Sequence, residues 1–122
     1  MLSVREYLIK KENMQNQTVQ DGKMMAIISY MTVIGTLIAF IMNQNKHNYF
    51  ASFHIRQAIG IFMVGLLVNF INRFSNFDWL DMILGFGVFV LWIIGLIGAI
   101  QGEEKRVPLL GDQFQEWFRN IG

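Results

Sequence analysis

At 122 residues the chain has room for one domain, yet 53% of it is hydrophobic, only 16% is charged, and its mean hydropathy is +0.37. A soluble fold this small leaves too much of its chain exposed to hide that apolar surface, so the composition points to a bilayer as solvent. The net charge of +1 gives no basic face for nucleic acid, and the lack of cysteine excludes disulfides, thiol chemistry and cysteine metal sites.

Residues 1–23 read as a polar N-terminal tail. Val4, Tyr7 and Leu8 share one side of a short surface helix over residues 1–13, and residues 13–23, NMQNQTVQDGK, have the composition of a linker. The tail lacks the apolar core and cleavage site of a signal peptide, so targeting falls to the first apolar segment. Met14 is an alternative start.

Residues 24–122 then read as one helical membrane domain. The first predicted span, residues 24–42, is an uncharged run that measures about 28 Å as a helix, close to the hydrocarbon thickness. Ser29, Thr32, Thr36 and Ala39 recur on it at helical spacing, a small-residue stripe suited to helix packing. A polar connection, NQNKHN, leads to the second span at residues 50–72. Its purely apolar part is short, and the deficit closes if residues 49–57, YFASFHIRQ, cross the interface with Arg56 reaching phosphate. Gly65 and Asn69 continue the small and polar face of His54.

The turn NRFSNFD leads to the third span at residues 79–100, with Asp78 expected as its N-cap, Asp81 at the capping-box position and Trp79 at interface depth. Gly95, Gly98 and Gly102 form a packing face on this span, the last two at GxxxG spacing. After a charged break and the turn VPLLG, residues 112–121 form an amphipathic helix too short to span. Its Phe114, Trp117 and Phe118 are expected to anchor it flat in the interface. The expected fold is therefore all-α, with three transmembrane helices and an interfacial C-terminal helix.

Three spans put the tails on opposite sides, and the positive-inside comparison ties: Arg5, Lys10, Lys11, Lys23 and Arg73 against Lys46, Arg56, Lys105, Arg106 and Arg119. Starting at Met14 breaks the tie and makes the loop 43–56 and the C-terminal tail cytoplasmic.

His54, Arg56 and Gln57 are the candidate site. An ionisable group near membrane depth often marks function, and Arg56 suits a phosphate or a peptide carbonyl of a partner. Anchoring to lipid headgroups is the plainer reading. No metal site is expected, since His47 and His54 are the only histidines and have no carboxylate beside them. No catalytic nucleophile arrangement is present, so neither an enzyme nor a cofactor is expected.

The segments DGKMMAIISYMTVIGTLIAFIMN, FASFHIRQAIGI and GAIQGEEKRVPLLGDQFQEWF resemble an uncharacterised family of small bacterial membrane proteins. That family is distantly related to the chloroplast inner-envelope protein-import component of the Tic translocon. The resemblance covers roughly residues 21–121, with FHxRQA and VPLLG its specific elements. It implies an all-helical domain of the bacterial inner (cytoplasmic) membrane, partnered by another membrane protein or by its own copies, with no enzymatic activity assigned. The chloroplast relatives have four spans, against three expected here.

The expected role is a non-enzymatic subunit or helper of a membrane complex, with protein translocation or insertion as its theme. The alternatives are a small oligomeric channel lined by Ser29, Thr32, Thr36, His54 and Asn69, and a lipid-interacting protein that organises the bilayer.

Overall fold

The computed structural model describes residues 1–121; Gly122, the last residue of the expected membrane domain, lies outside the described residues. Among the described residues five helices follow one another: α1 (Val4–Met31), α2 (Val33–Lys46), α3 (Tyr49–Phe74), α4 (Asp78–Gln101) and α5 (Gly111–Trp117). Two of them, Tyr49–Phe74 and Asp78–Gln101, are long and apolar enough to cross a membrane, and they occupy the second and third predicted spans.

The N-terminal tail is neither a short helix nor a linker. One helix runs through it, opened by a capping box in which Ser3 Oγ accepts from Glu6 N at 3.2 Å while Glu6 Oε2 accepts from Ser3 N. The segment read as a linker holds only one glycine and no proline. Its polar side chains support the helix, Gln17 Nε2 donating to Asp21 Oδ1 one turn on at 2.9 Å. At Gly22 the helix passes close to α3, and a Cβ there would stand 2.1 Å from Asn48 Oδ1.

The first predicted span is also corrected. Residues 24–42 are not one helix: the chain turns extended at Thr32 (φ −152°, ψ 170°), and α2 folds back along α1. Met25 and Ala39 join one buried cluster, and Thr36 Oγ1 donates to Ser29 O at 2.6 Å. Thr32 caps α2 by accepting from Gly35 N at 2.9 Å. Gly35 lies so close to α1 that a Cβ would fall 2.3 Å from Ile28 O. Ser29, Thr32 and Thr36 therefore do not form one helix face; their side chains serve the backbone around the break.

A two-residue connection, with His47 in the left-handed conformation and Asn48 capping Ala51 N, starts α3. Residues 75–77 turn the chain into α4. Phe77, not Asp78, holds the N-cap position, and Asp78 and Asp81 lie in the first turn, where carboxylates favour the helix dipole. With its amide turned to suit its neighbours, Asn72 Nδ2 donates to Asp81 Oδ1 at 2.9 Å, tying the two helix ends together. At the other end Gly102 takes φ 75° and closes α4, with Glu103 N returning to Gly98 O at 2.9 Å.

The core is confined to one end of the molecule. Tyr30, Phe50, Ala58, Ile61, Ala99, Val107 and Phe114 fill it, with Met25, Ala39, Ala51 and Ile55 beside them. Past Ile61, α3 buries only Val68, and α4 buries only Gly95, Gly98 and Ala99. The far halves of α3 and α4 thus form a bare two-helix hairpin, with Phe70, Phe74, Met82, Ile83 and Phe86 exposed.

The C-terminal helix differs from its expected form in two ways. It spans only Gly111–Trp117, and Leu110 rather than Asp112 precedes it, without a side-chain cap. It does not rest on its apolar face alone: Phe114 is 1% exposed and plugs the core against Gly60, where a Cβ would meet its ring at 2.3 Å. Phe114 is a core residue rather than an anchor. Trp117 and Trp79 remain exposed, and Phe118 is half-buried.

Candidate functional site

The first two turns of α3 are the most enclosed part of the chain. From Phe50 to Gln57 every residue except Arg56 is buried, because α1, α2, α4 and the C-terminal segment close around them. His54 and Gln57, three residues apart on one helix face, point together at Tyr30 and at the strap that follows α4.

The hydrogen bonds fix the roles in this cluster. His54 Nε2 lies 2.8 Å from Glu103 O, an acceptor only, so Nε2 carries the proton and donates. His54 Nδ1 then accepts from the Tyr30 hydroxyl at 2.6 Å. The Tyr30 oxygen in turn accepts from Gln57 Nε2 at 3.0 Å. Gln57 completes its amide by donating to Lys105 O and accepting from Val107 N, both at 3.0 Å. Among the described residues no buried side-chain nitrogen or oxygen is left unpartnered.

Packing holds these groups in place. Phe50 and Phe53 present their rings edge-on to His54, with centroids 4.7 and 5.0 Å away. Gly95 and Gly98 let α4 approach: a Cβ at Gly95 would stand 2.7 Å from the Tyr30 ring, and one at Gly98 would stand 3.0 Å from Lys105 Cβ. Trp92 donates its indole N–H to the backbone oxygen of Tyr30. The third glycine, Gly102, faces Val19 of α1.

Arg56 lies on another side of α3. Its Nε donates to Ile121 O at 2.7 Å and Nη2 to Arg119 O at 2.9 Å. Its planar fork satisfies carbonyls at the C-terminal end, which a lysine could not do with one geometry. Gln115 Nε2 returns the contact by donating to Phe53 O at 2.9 Å. His54, Arg56 and Gln57 thus contact this chain's own C-terminal segment, and almost wholly through its backbone.

The remaining predicted residues are scattered. Gly65 packs near Val88, while Asn69 is exposed on α3. A second polar cluster was not anticipated from the sequence. Asn43 Nδ2 donates to Ser52 Oγ at 2.8 Å, Asn48 N donates to Asn43 Oδ1 at 2.8 Å, and Asn48 Nδ2 donates to Thr18 O at 2.8 Å. It joins α1, α2 and α3 where they meet. The sequence signal for it was the asparagine pair bracketing the short connection. Tyr30 and Trp92 carried no such signal, being aromatic residues within apolar runs.

Chemically, the Tyr30–His54 pair holds a hydroxyl and a base, the elements of an activated nucleophile. Both residues are fully buried and both imidazole nitrogens are engaged. No group of histidines and carboxylates that could hold a metal occurs among the described residues. What the arrangement does is clasp: two side chains on α3, His54 and Gln57, fix α1 and the strap after α4 at one point.

No protein-family profile matches the chain, and no solved structure matches it. Two curated proteins of the archaeon Methanocaldococcus jannaschii do. One is 26% identical over 98 residues, covering 80% of this chain and 88% of its own length. The other is 23% identical over 103 residues, covering 83% of this chain and 73% of its own. These similarities carry no link to the protein-import component. Both relatives are described as UPF0132 membrane proteins, and the chain is a distant homologue of that group.

Proposed function

We propose that the chain is an integral protein of the bacterial inner membrane that acts, without catalysis, as a subunit or helper of a membrane complex. The observation that supports this is the division of its surface. Its buried polar side chains are spent on one another and on the chain's own backbone, while α4 turns Met82, Ile83, Phe86 and Phe89 outward. A protein built this way works by apolar helix contacts rather than by a polar cleft. The archaeal relatives' description as membrane proteins supports the same location. Aid to protein translocation or insertion is the form of this role that the import-component resemblance implies. The channel reading is weaker, because Ser29 and Thr36 spend their hydroxyls on backbone carbonyls.

The test is a photo-reactive residue at position 86, on the exposed face of α4, in living cells. A discrete protein adduct that is missing when the probe sits at buried position 61 is the expected result. Adducts with lipid alone overturn the helper role.

A further inference from the structure

The fold changes how the chain meets a bilayer. Residues 22–31 descend from the end that carries the core, and residues 33–46 return to it. Gly22 meets Asn48 at the open end, Met25 and Ala39 share a cluster, and Ser29 O receives Thr36 Oγ1 next to the turn. The two arms measure about 15 and 20 Å at helical rise, whereas crossing the hydrocarbon needs about 30 Å. The turn lies beside Ile61, Gly65 and Trp92, which stand midway along α3 and α4.

A helix break at such depth is tolerated only where its backbone groups find partners within the protein. They do here. Thr32 Oγ1 accepts from Gly35 N, Thr36 Oγ1 donates to Ser29 O and Thr32 O, and the Trp92 indole donates to Tyr30 O. The small polar residues of this segment are what an intramembrane turn requires.

The charges agree with this arrangement. With the hairpin entering and leaving at one end, the N-terminal tail, the 47–48 connection and the C-terminal segment all share that end. They are tied there by Asn48 to Thr18, by His54 to Glu103 and by the contact of Gly102 with Val19. Of the ten lysines and arginines, Arg73 alone lies at the α3–α4 turn end. So one-sided a distribution marks the cytoplasmic, anionic leaflet.

We infer that residues 22–46 form a re-entrant hairpin that dips to mid-bilayer from the cytoplasmic leaflet, so that only α3 and α4 cross and both tails are cytoplasmic. This rests on the membrane location proposed above.

The chain has no cysteine, so single-cysteine variants report position directly. Asn13→Cys, Gln44→Cys, Ile34→Cys and Asn76→Cys all fall at exposed sites and leave the core intact. A membrane-impermeant maleimide is applied to intact cells and to inside-out vesicles. Positions 13 and 44 should label only in inside-out vesicles, position 76 only in intact cells, and position 34 in neither until detergent is added. Labelling of 13 and 44 from opposite faces, or of 34 from the face that exposes 76, overturns the hairpin. Labelling of 13 and 44 in intact cells overturns the orientation. Equal labelling of all four from one face without detergent overturns the membrane location itself.

Discussion

Tyr30 is a single hydroxyl on which two elements of the fold depend. It donates to His54 and accepts from Gln57, while its ring fills the space left by Gly95. Tyr30→Phe keeps the ring and removes the oxygen, leaving His54 Nδ1 as a buried acceptor with no partner. An unmet buried group of this kind costs about 1–3 kcal/mol. Thermal unfolding of the purified variant in detergent should show a lower midpoint than wild type, and an unchanged midpoint would remove the clasp as a stabilising device. The sequence marked His54, Arg56 and Gln57 as worth attention because polar groups beside apolar runs need partners. It could not supply the partners, since Glu103, Lys105, Val107, Arg119 and Ile121 contribute backbone atoms, and backbone carries no residue-type signature.

Among the elements, the sequence made α3 and α4 legible and the α1–α2 hairpin illegible. Long apolar runs between polar turns define the first two without ambiguity. Residues 24–42 give the same hydropathy signal whether they form one helix or two half-length arms. What distinguishes the cases is Gly35, whose closeness to Ile28 O appears only once the arms are folded together. Gly35→Ala sets a methyl against backbone that has no room to yield. Overpacking of this sort costs about 1–3 kcal/mol, more than the roughly 1 kcal/mol that alanine gains over glycine in a helix. Gly87→Ala, with nothing within 4 Å, makes that gain without the clash. The two variants should therefore shift the unfolding midpoint in opposite directions, down for position 35 and level or up for position 87. A midpoint at position 35 equal to wild type would mean that the arms do not pack this closely.

For the whole molecule, stability and membrane insertion reside in different places. In the proposed reading insertion depends on the apolar lengths of α3 and α4, the two helices long and apolar enough to cross, which no tertiary contact supplies. Folding of the core end depends on the C-terminal segment, because Val107 and Phe114 enter the core, Gln57 takes its partners from the strap and Arg56 takes its own from the residues after α5. A chain ending at Arg106 loses the Phe114 ring, a loss of about 3–5 kcal/mol in cores generally, together with the Val107 amide and the carbonyls held by Arg56. That is a large share of the stability of a small domain. The truncated chain should still resist alkaline extraction from membranes as the full chain does. Its α1 segment and the connection at residues 47–48 should be cleaved by added protease well before those of the full chain, because the core against which Ala26 and Tyr30 of α1 pack has lost Val107 and Phe114. Equal protease resistance of the two chains would show that the C-terminal segment only covers a core that is stable without it. Loss of membrane retention would show that α3 and α4 need the core end in order to insert.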